Sequence, residues 1–335
     1  MCPDFSAVID MQNFKRILVG VDLSDEEHFV ADAVPRSTRA AVDKAIWLAR
    51  RTSGHLTFHA TVMPDYGRFI SPPEEKSEGE LVYEAASEIL EGFCNEAEQA
   101  GLVADLVCTC GTPSLELTRA VIESHYDVVI LGSHRRHGLR RLVLGSTGKK
   151  MLRVCPSPVW VTSPHDDGAV RKILAATDFS ETSEQAVQVA SELANQFKAE
   201  LHVLHSVPQY AEPLYRGIPL PPGEDGAWQA KASSVARVNL NESLKKLGLA
   251  DSIAPDHVHL VQGPANPAIQ SVVHDLGIDL LVMGTAARRG LGGILIGNTA
   301  EQLLPHLTCS VLVLKPAGFH TRIEPHRLSS RRRGE

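Results

Sequence analysis

Two short stretches concentrate the residue types that bind anions or metals. Between Gly132 and Gly145 lie Arg135, Arg136, Arg140 and Arg141, with His134 and His137 beside them. Between Gly284 and Gly297 lie Arg288 and Arg289. Guanidinium groups grouped in this way suit a clamp on phosphate or another anion. The ordinary reading of such a run, a solvated face, is preferred here. Its recurrence at a matching loop tells somewhat against that preference. Gly145-Ser146-Thr147-Gly148-Lys149 has a passing likeness to a phosphate-binding P-loop. The likeness fails because Val143 stands where the first Gly belongs and Lys150 where Ser or Thr should follow. Histidines occur as close pairs, His55 with His59, His134 with His137 and His202 with His205. Residues three apart on a strand face opposite sides, so His202 and His205 do not share a ligand set. No cysteine pair or HExxH pattern accompanies them, and no metal is expected.

The elements that position these loops follow a repeated plan. Lys15 to Asp22 reads as a buried first strand, and Arg171 to Asp178 echoes it. Helices are expected over about 37–52, 74–100 and from Gly111-Thr112-Pro113 to Glu123. Strands are expected at 56–62, 103–110, 127–131 and 159–161. Gly54 is expected to stop the first helix. The second half has helices over 182–197, 227–247 and up to Leu276, and strands over 200–207, 258–262, 279–284 and 311–314. Gly132 matches Gly284, Gly138 matches Gly290 and Gly145 matches Gly297 at one constant offset, so the two halves are a duplication. The restart divides the chain into residues 1–164 and 165–318. Residues 319–335 form a basic tail, expected to be disordered or loosely docked.

Each half therefore reads β-α-β-α-β-α-β-α-β with strands too continuously apolar to be half-solvated. That is the pattern of an α/β fold with a doubly wound, Rossmann-like parallel sheet. In such sheets ligands bind beyond the carboxyl ends of the strands, where the strand order reverses. The residues that fall there are Asp22, Gly111, Gly132 and the loop to Gly145, and then Asp178, Gly263, Gly284 and the loop to Gly297.

Composition sets the outer bounds. The chain has 335 residues and a formal charge of -7. The length suits two ordinary domains, and the charge argues against direct nucleic-acid binding. No window approaches a membrane span, and the N-terminus lacks a signal-peptide pattern. The six cysteines match no zinc spacing, so a reducing cytoplasm is expected.

An Asp after the first strand, a glycine loop after the fourth, a Gly-Ser opening the last helix and a Pro-Val final strand together resemble the universal stress protein family. The likeness covers nearly all of the chain, twice. Leu152 to Trp160 (LRVCPSPVW) and Gly297 to Leu304 (GNTAEQLL) resemble the tandem, E-type members of Gram-negative bacteria.

The resemblance implies a non-catalytic stress-response protein that supports survival of starvation or DNA damage. It implies ATP or another nucleotide as the small ligand, with Gly132, Gly145, Ser146 and Thr147 at the anion and Asp22 at the far end. In the second half the corresponding residues are Asp178, Gly284, Gly297, Asn298 and Thr299. Asp22 and Asp178 can equally well cap the loops that follow them.

The family's ATP pattern is Gly, two residues, Gly, nine residues, Gly and then Ser or Thr. Here Arg135 and Ala287 replace the middle glycines, and Asn298 replaces the hydroxyl residue. A Cβ at a position needing φ > 0 costs on the order of 1 kcal/mol and crowds the phosphate. Weak nucleotide binding, or a different small ligand, is the expectation. The alternative is an interaction module with vestigial crevices. An enzyme is a distant third, since neither HxGH, SGGxDS nor G-x-S-x-G occurs. The final strands, Val159 to Val161 and Val311 to Leu314, are core, and in the family such edges pair domains. An internal pseudo-dimer is expected, with a further homodimer left open.

Overall fold

The computed structural model describes residues 14–23, 34–62, 78–133, 142–163, 168–207, 225–285 and 298–326. In the first half β1 (Arg16–Val21), β2 (His55–Val62), β3 (Val103–Cys110), β4 (Val128–Gly132) and β5 (Val159–Thr162) alternate with four helices. These are α1 (Arg36–Thr52), α2 (Glu78–Gln99), α3 (Pro113–Ser124) and α4 (Ser146–Val154). The second half repeats the plan with β6 (Lys172–Ala176), β7 (Glu200–Val207), β8 (Val258–Gln262), β9 (Leu280–Gly284) and β10 (Ser310–Leu314). Its helices are α5 (Glu181–Phe197), α6 (Asp225–Lys246), α7 (Ala265–Leu276) and the short α8 (Asn298–Leu303).

The strands join into one sheet in the order β3-β2-β1-β4-β5-β10-β9-β6-β7-β8. Every pairing is parallel except that of β5 with β10. The central strands are buried on both faces, with Ile17, Leu18 and Val19 and Leu280, Leu281 and Val282 fully enclosed. This explains their unbroken apolar runs. The duplication extends to single hydrogen bonds. Asp127 Oδ2 accepts the amides of Lys15 (2.9 Å) and Arg16 (2.7 Å). Asp279 Oδ2 accepts those of Arg171 (2.7 Å) and Lys172 (2.9 Å). One carboxylate thus fixes where the first strand starts in each half.

The helix ends depart from expectation in one respect. The left-handed residue closing α1 is Ser53 (φ 51°), not Gly54. Gly54 follows because a Cβ there would press on Thr52, Ile17 and the Phe14 carbonyl. Cys94 and Cys155 are free thiols buried in the core, while the free Cys108 and Cys110 on β3 are progressively more exposed.

The two halves share a core. β5 and β10 pair antiparallel with Trp160 opposite Leu312, and both side chains are fully buried. The Trp47 ring on α1 lies 4.4 Å from that of Phe197 on α5. Lys315, just after β10, sends its Nζ to the carbonyl of Leu152 at the end of α4, with Arg153 O at 3.4 Å. Both carbonyls belong to the last turn of a helix, where a cation is favoured.

Burial pushes the Lys315 ammonium down to about 8. The unfolded chain therefore holds this proton more firmly than the folded one, so stability must rise as the pH climbs from about 8 towards 10.5. Urea titrations at pH 7.5 and 10 should show a gain of roughly 2 kcal/mol that Lys315→Met lacks. Equal pH dependence in both proteins would contradict a buried, proton-shedding amine.

Beyond Phe319 the chain returns to the first half. His326 donates its amide to Glu123 Oε1 (2.7 Å), and its ring lies 3.0 Å from Glu123 and 3.1 Å from Glu116. Arg119 reaches the Glu324 carbonyl at 3.3 Å. Of the two expectations for this tail, docking holds through His326, because acidic residues on α3 draw the chain in. Residues 327–335 lie outside the described residues.

Candidate ligand crevices

Within each half the strand order reverses between the first and fourth strands, β1 and β4 in one and β6 and β9 in the other. A crevice opens at the carboxyl ends of each pair, as doubly wound sheets require. The first has a volume of about 300 Å³. Its lining brings together Asp22, Gly132, Gly145, Ser146 and Thr147, all named from the sequence. It adds Ser37, Thr38, His59, Thr61 and Pro113, which the sequence did not single out for this site.

α4 begins at the crevice wall. Its N-cap is Gly145 (φ -63°, ψ 174°), which has no side chain to accept from the first-turn amides. A helix N-terminus of this kind presents free N–H groups to an anion. On the other side Asp22 leaves β1, its carbonyl accepting the Thr38 hydroxyl at 2.5 Å.

His59 is the informative addition. It is buried on β2, and its Nε2 lies 2.9 Å from Thr109 Oγ1. Its Nδ1 is also buried but has no hydrogen-bond partner. Burial lowers the ring's pKa to about 4, so the imidazole is neutral at physiological pH. A buried polar atom without a partner is destabilising, and the residue that carries it is part of the crevice lining. His59 and Asp22 are the ionisable side chains among the crevice's described lining residues.

Gly132 has a role that the sequence did not reveal. A Cβ built on it would lie 2.2 Å from the Ser37 carbonyl oxygen. At Gly284 the same atom would lie 2.7 Å from Thr182 Cγ2 and 3.0 Å from the Thr182 carbonyl oxygen. These glycines admit the first turn of α1 and of α5 over the strand end. The close approach is to protein backbone, whatever else the crevice holds.

The second crevice is smaller, about 130 Å³, and is lined by Asp178, Ser180, Ser183, His205 and Gly284 among others. Asp178 is engaged in its own loop, with Oδ1 accepting the Ser180 amide at 3.0 Å. Burial raises its pKa, but hydrogen bonds from Ser180 and Ser183 outweigh that and leave it lowered. His205 Nδ1 lies 2.8 Å from the Thr177 carbonyl, and its ring stacks on Phe179 at 4.1 Å. Asn298 and Thr299 open α8, while Gly297 lies outside the described residues. So do Arg135, Arg136, Arg140, Arg141, Arg288 and Arg289, the replaced positions 135 and 287, and His134 and His137.

The remaining histidines fall into separate places. His55 pairs with Asp105 at 2.8 Å. His202 and His205 point to different environments, as their spacing required. His202 instead meets His259 (Nδ1 to Nε2, 3.1 Å) and His257, with Glu200 nearby. Burial, together with His257 and His259, holds the His202 ring at about 4.

Comparison with known proteins supports a family assignment. A profile described as the universal stress protein family matches residues 13–163 and again 169–315. Universal stress protein E of Photorhabdus laumondii is 23% identical over 330 residues, covering 94% of this chain and 99% of the relative. The Escherichia coli K12 protein of the same name is 27% identical over 222 residues, 63% of this chain and 68% of its own. Among solved structures, a functionally unknown protein of Pseudomonas aeruginosa PAO1 superposes with a TM-score of 0.66 at 23% identity. It covers 92% of this chain and 94% of its own. A universal stress protein of Archaeoglobus fulgidus gives 0.62 at 18% identity, covering 90% and 98%.

Proposed function

The chain belongs to the universal stress protein family, with the domain present twice in tandem, and from that premise we propose a non-catalytic regulatory protein that binds one nucleotide-type ligand in its first crevice. The observation that carries this reading is the buried, unpartnered Nδ1 of His59, in a 300 Å³ crevice whose wall includes the uncapped N-terminus of α4. The helix end suits a phosphate. The neutral imidazole suits a neutral polar edge, such as that of a base. With Arg135 replacing a glycine of the ATP pattern, the binding is weak. Another anionic ligand of similar shape remains the variant of this proposal.

The second half favours the vestigial role. Its crevice has less than half the volume, its Asp178 carboxylate is committed to the loop, and α8 spans only the six residues Asn298–Leu303. We therefore assign ligand binding to the first half and scaffolding to the second. The cellular role that goes with this is cytoplasmic stress survival, in starvation or DNA damage. Among the described residues no helix is long and apolar enough to cross a membrane.

Thermal unfolding with and without Mg-ATP tests the placement. At ten times its dissociation constant the nucleotide should stabilise the wild type by about 1.4 kcal/mol. Gly145→Trp fills the crevice mouth and should abolish that gain while far-UV circular dichroism stays unchanged. A Gly145→Trp protein stabilised as much as the wild type would remove the first crevice from consideration.

A further inference from the structure

The cluster on β7 and β8 lies at the opposite end of the strands from the crevices and has no part in them. Glu200 and His202 are two apart on β7, so both project from one face of the strand. His257 enters from the short 3₁₀ turn Pro255–His257 that leads into β8, and His259 follows on β8 itself. The pairing of β7 with β8, with Leu204 opposite His259, brings these distant positions together. The His202 and His257 rings lie 4.2 Å apart between centroids.

We propose that Glu200, His202 and His257 form a binding site for a zinc-class divalent cation. One ligand atom from each of the three lies within 4.8 Å of the others, and His202 Nε2 is 3.7 Å from Glu200 Oε2. Zinc holds nitrogen and carboxylate oxygen at roughly 2.0–2.2 Å, which places tetrahedral donors about 3.4 Å apart. The closure needed is small and falls largely on Glu200, whose side chain is 55% exposed and free to change rotamer. Two histidines and one glutamate are a known zinc donor set that leaves a fourth position for water.

The second, independent observation is the state of His202. Its ring is 4% exposed, and its Nε2 is buried without a hydrogen-bond partner. The other nitrogen, Nδ1, is 3.1 Å from His259 Nε2. A neutral imidazole has one N–H and one lone pair. If Nδ1 carries the proton, it donates to His259 and leaves the Nε2 lone pair facing Glu200 and His257. The opposite tautomer would bury an N–H with no acceptor within hydrogen-bonding distance. His259 is then the positioning residue that fixes the ring and its tautomer, in the place that a carboxylate, backbone carbonyl or water usually takes behind a zinc-bound histidine. Lys172 is the competing charge, 3.9 Å from Glu200 Oε2, but its Nζ is held by the Leu276 carbonyl at 3.2 Å.

The test uses the full chain, stripped of metal by chelation and titrated with CoCl2 and then ZnCl2. Cobalt should give a saturable visible spectrum of low coordination number at one equivalent, and zinc should displace it. Glu200→Gln and His257→Ala, both at solvent-accessible positions, should each weaken zinc binding at least roughly tenfold with unchanged circular dichroism. His259→Leu should weaken it about 10- to 100-fold through loss of the positioning bond. His274→Ala, on exposed α7 surface, should change nothing. The proposal is overturned if the Glu200→Gln/His257→Ala double variant binds cobalt with the wild-type spectrum and stoichiometry. It is equally overturned if the wild type shows no saturable site.

Discussion

Trp160→Ala should lower the stability of the whole chain by about 3–5 kcal/mol, the largest single loss expected from a side-chain truncation here. Trp160 is fully buried on β5, between Ile130 of β4 and Leu312 of β10. It belongs to one hydrophobic cluster that runs from Phe14 and Ile17 in the first half to Ile173 and Leu312 in the second. Removing it leaves a cavity at the seam where both halves meet. Its indole Nε1 has no hydrogen-bond partner, so no polar bond is lost with it and the effect is one of packing. Because the core is shared, the variant should also unfold less cooperatively, with the halves separating in urea. A loss below about 1 kcal/mol, with a single unchanged transition, would mean that the halves stand independently of this contact.

The second large effect concerns the paired glycines. Gly132→Ala should cost about 3 kcal/mol, the upper end for an overpacked site, because the new Cβ would meet the Ser37 carbonyl oxygen at 2.2 Å. Backbone cannot rotate away as a side chain can, so α1 must shift. Gly284→Ala should cost less, since its nearest obstacle is Thr182 Cγ2 at 2.7 Å, with backbone no closer than 3.0 Å. Denaturant midpoints of the two variants give the comparison directly. Equal losses, or a larger loss at Gly284, would show that α1 yields more readily than the geometry implies.

These glycines also show how far the sequence can be read. Their recurrence at one offset exposed the duplication and the strand ends. What it could not expose was the reason for the glycine, because the Ser37 carbonyl comes from the start of α1, nearly a hundred positions away. His59 was visible as a residue, but its unpartnered nitrogen depends on Thr109 across β3 and on the burial of β2. The histidine cluster shows the same limit more sharply. Spacing alone correctly separated His202 from His205. Joining His202 to His257 and His259 needed the register between β7 and β8, which no local pattern encodes. The continuous apolar runs, by contrast, specified parallel buried strands, because burial on both faces leaves no alternation to read. The pairing of β5 with β10 was expected from the family resemblance, with the covering of an apolar edge as its physical reason.

With ligand binding assigned to the first half alone, the number of nucleotides bound per chain is the quantity to measure. Native mass spectrometry of the full chain with Mg-ATP should show a single bound nucleotide, lost in Gly145→Trp. Two nucleotides per chain, or one that persists in Gly145→Trp, would contradict the assignment. A chain that stays empty at every ATP concentration, and carries no other anionic ligand from purification, would leave the first crevice without the function proposed for it.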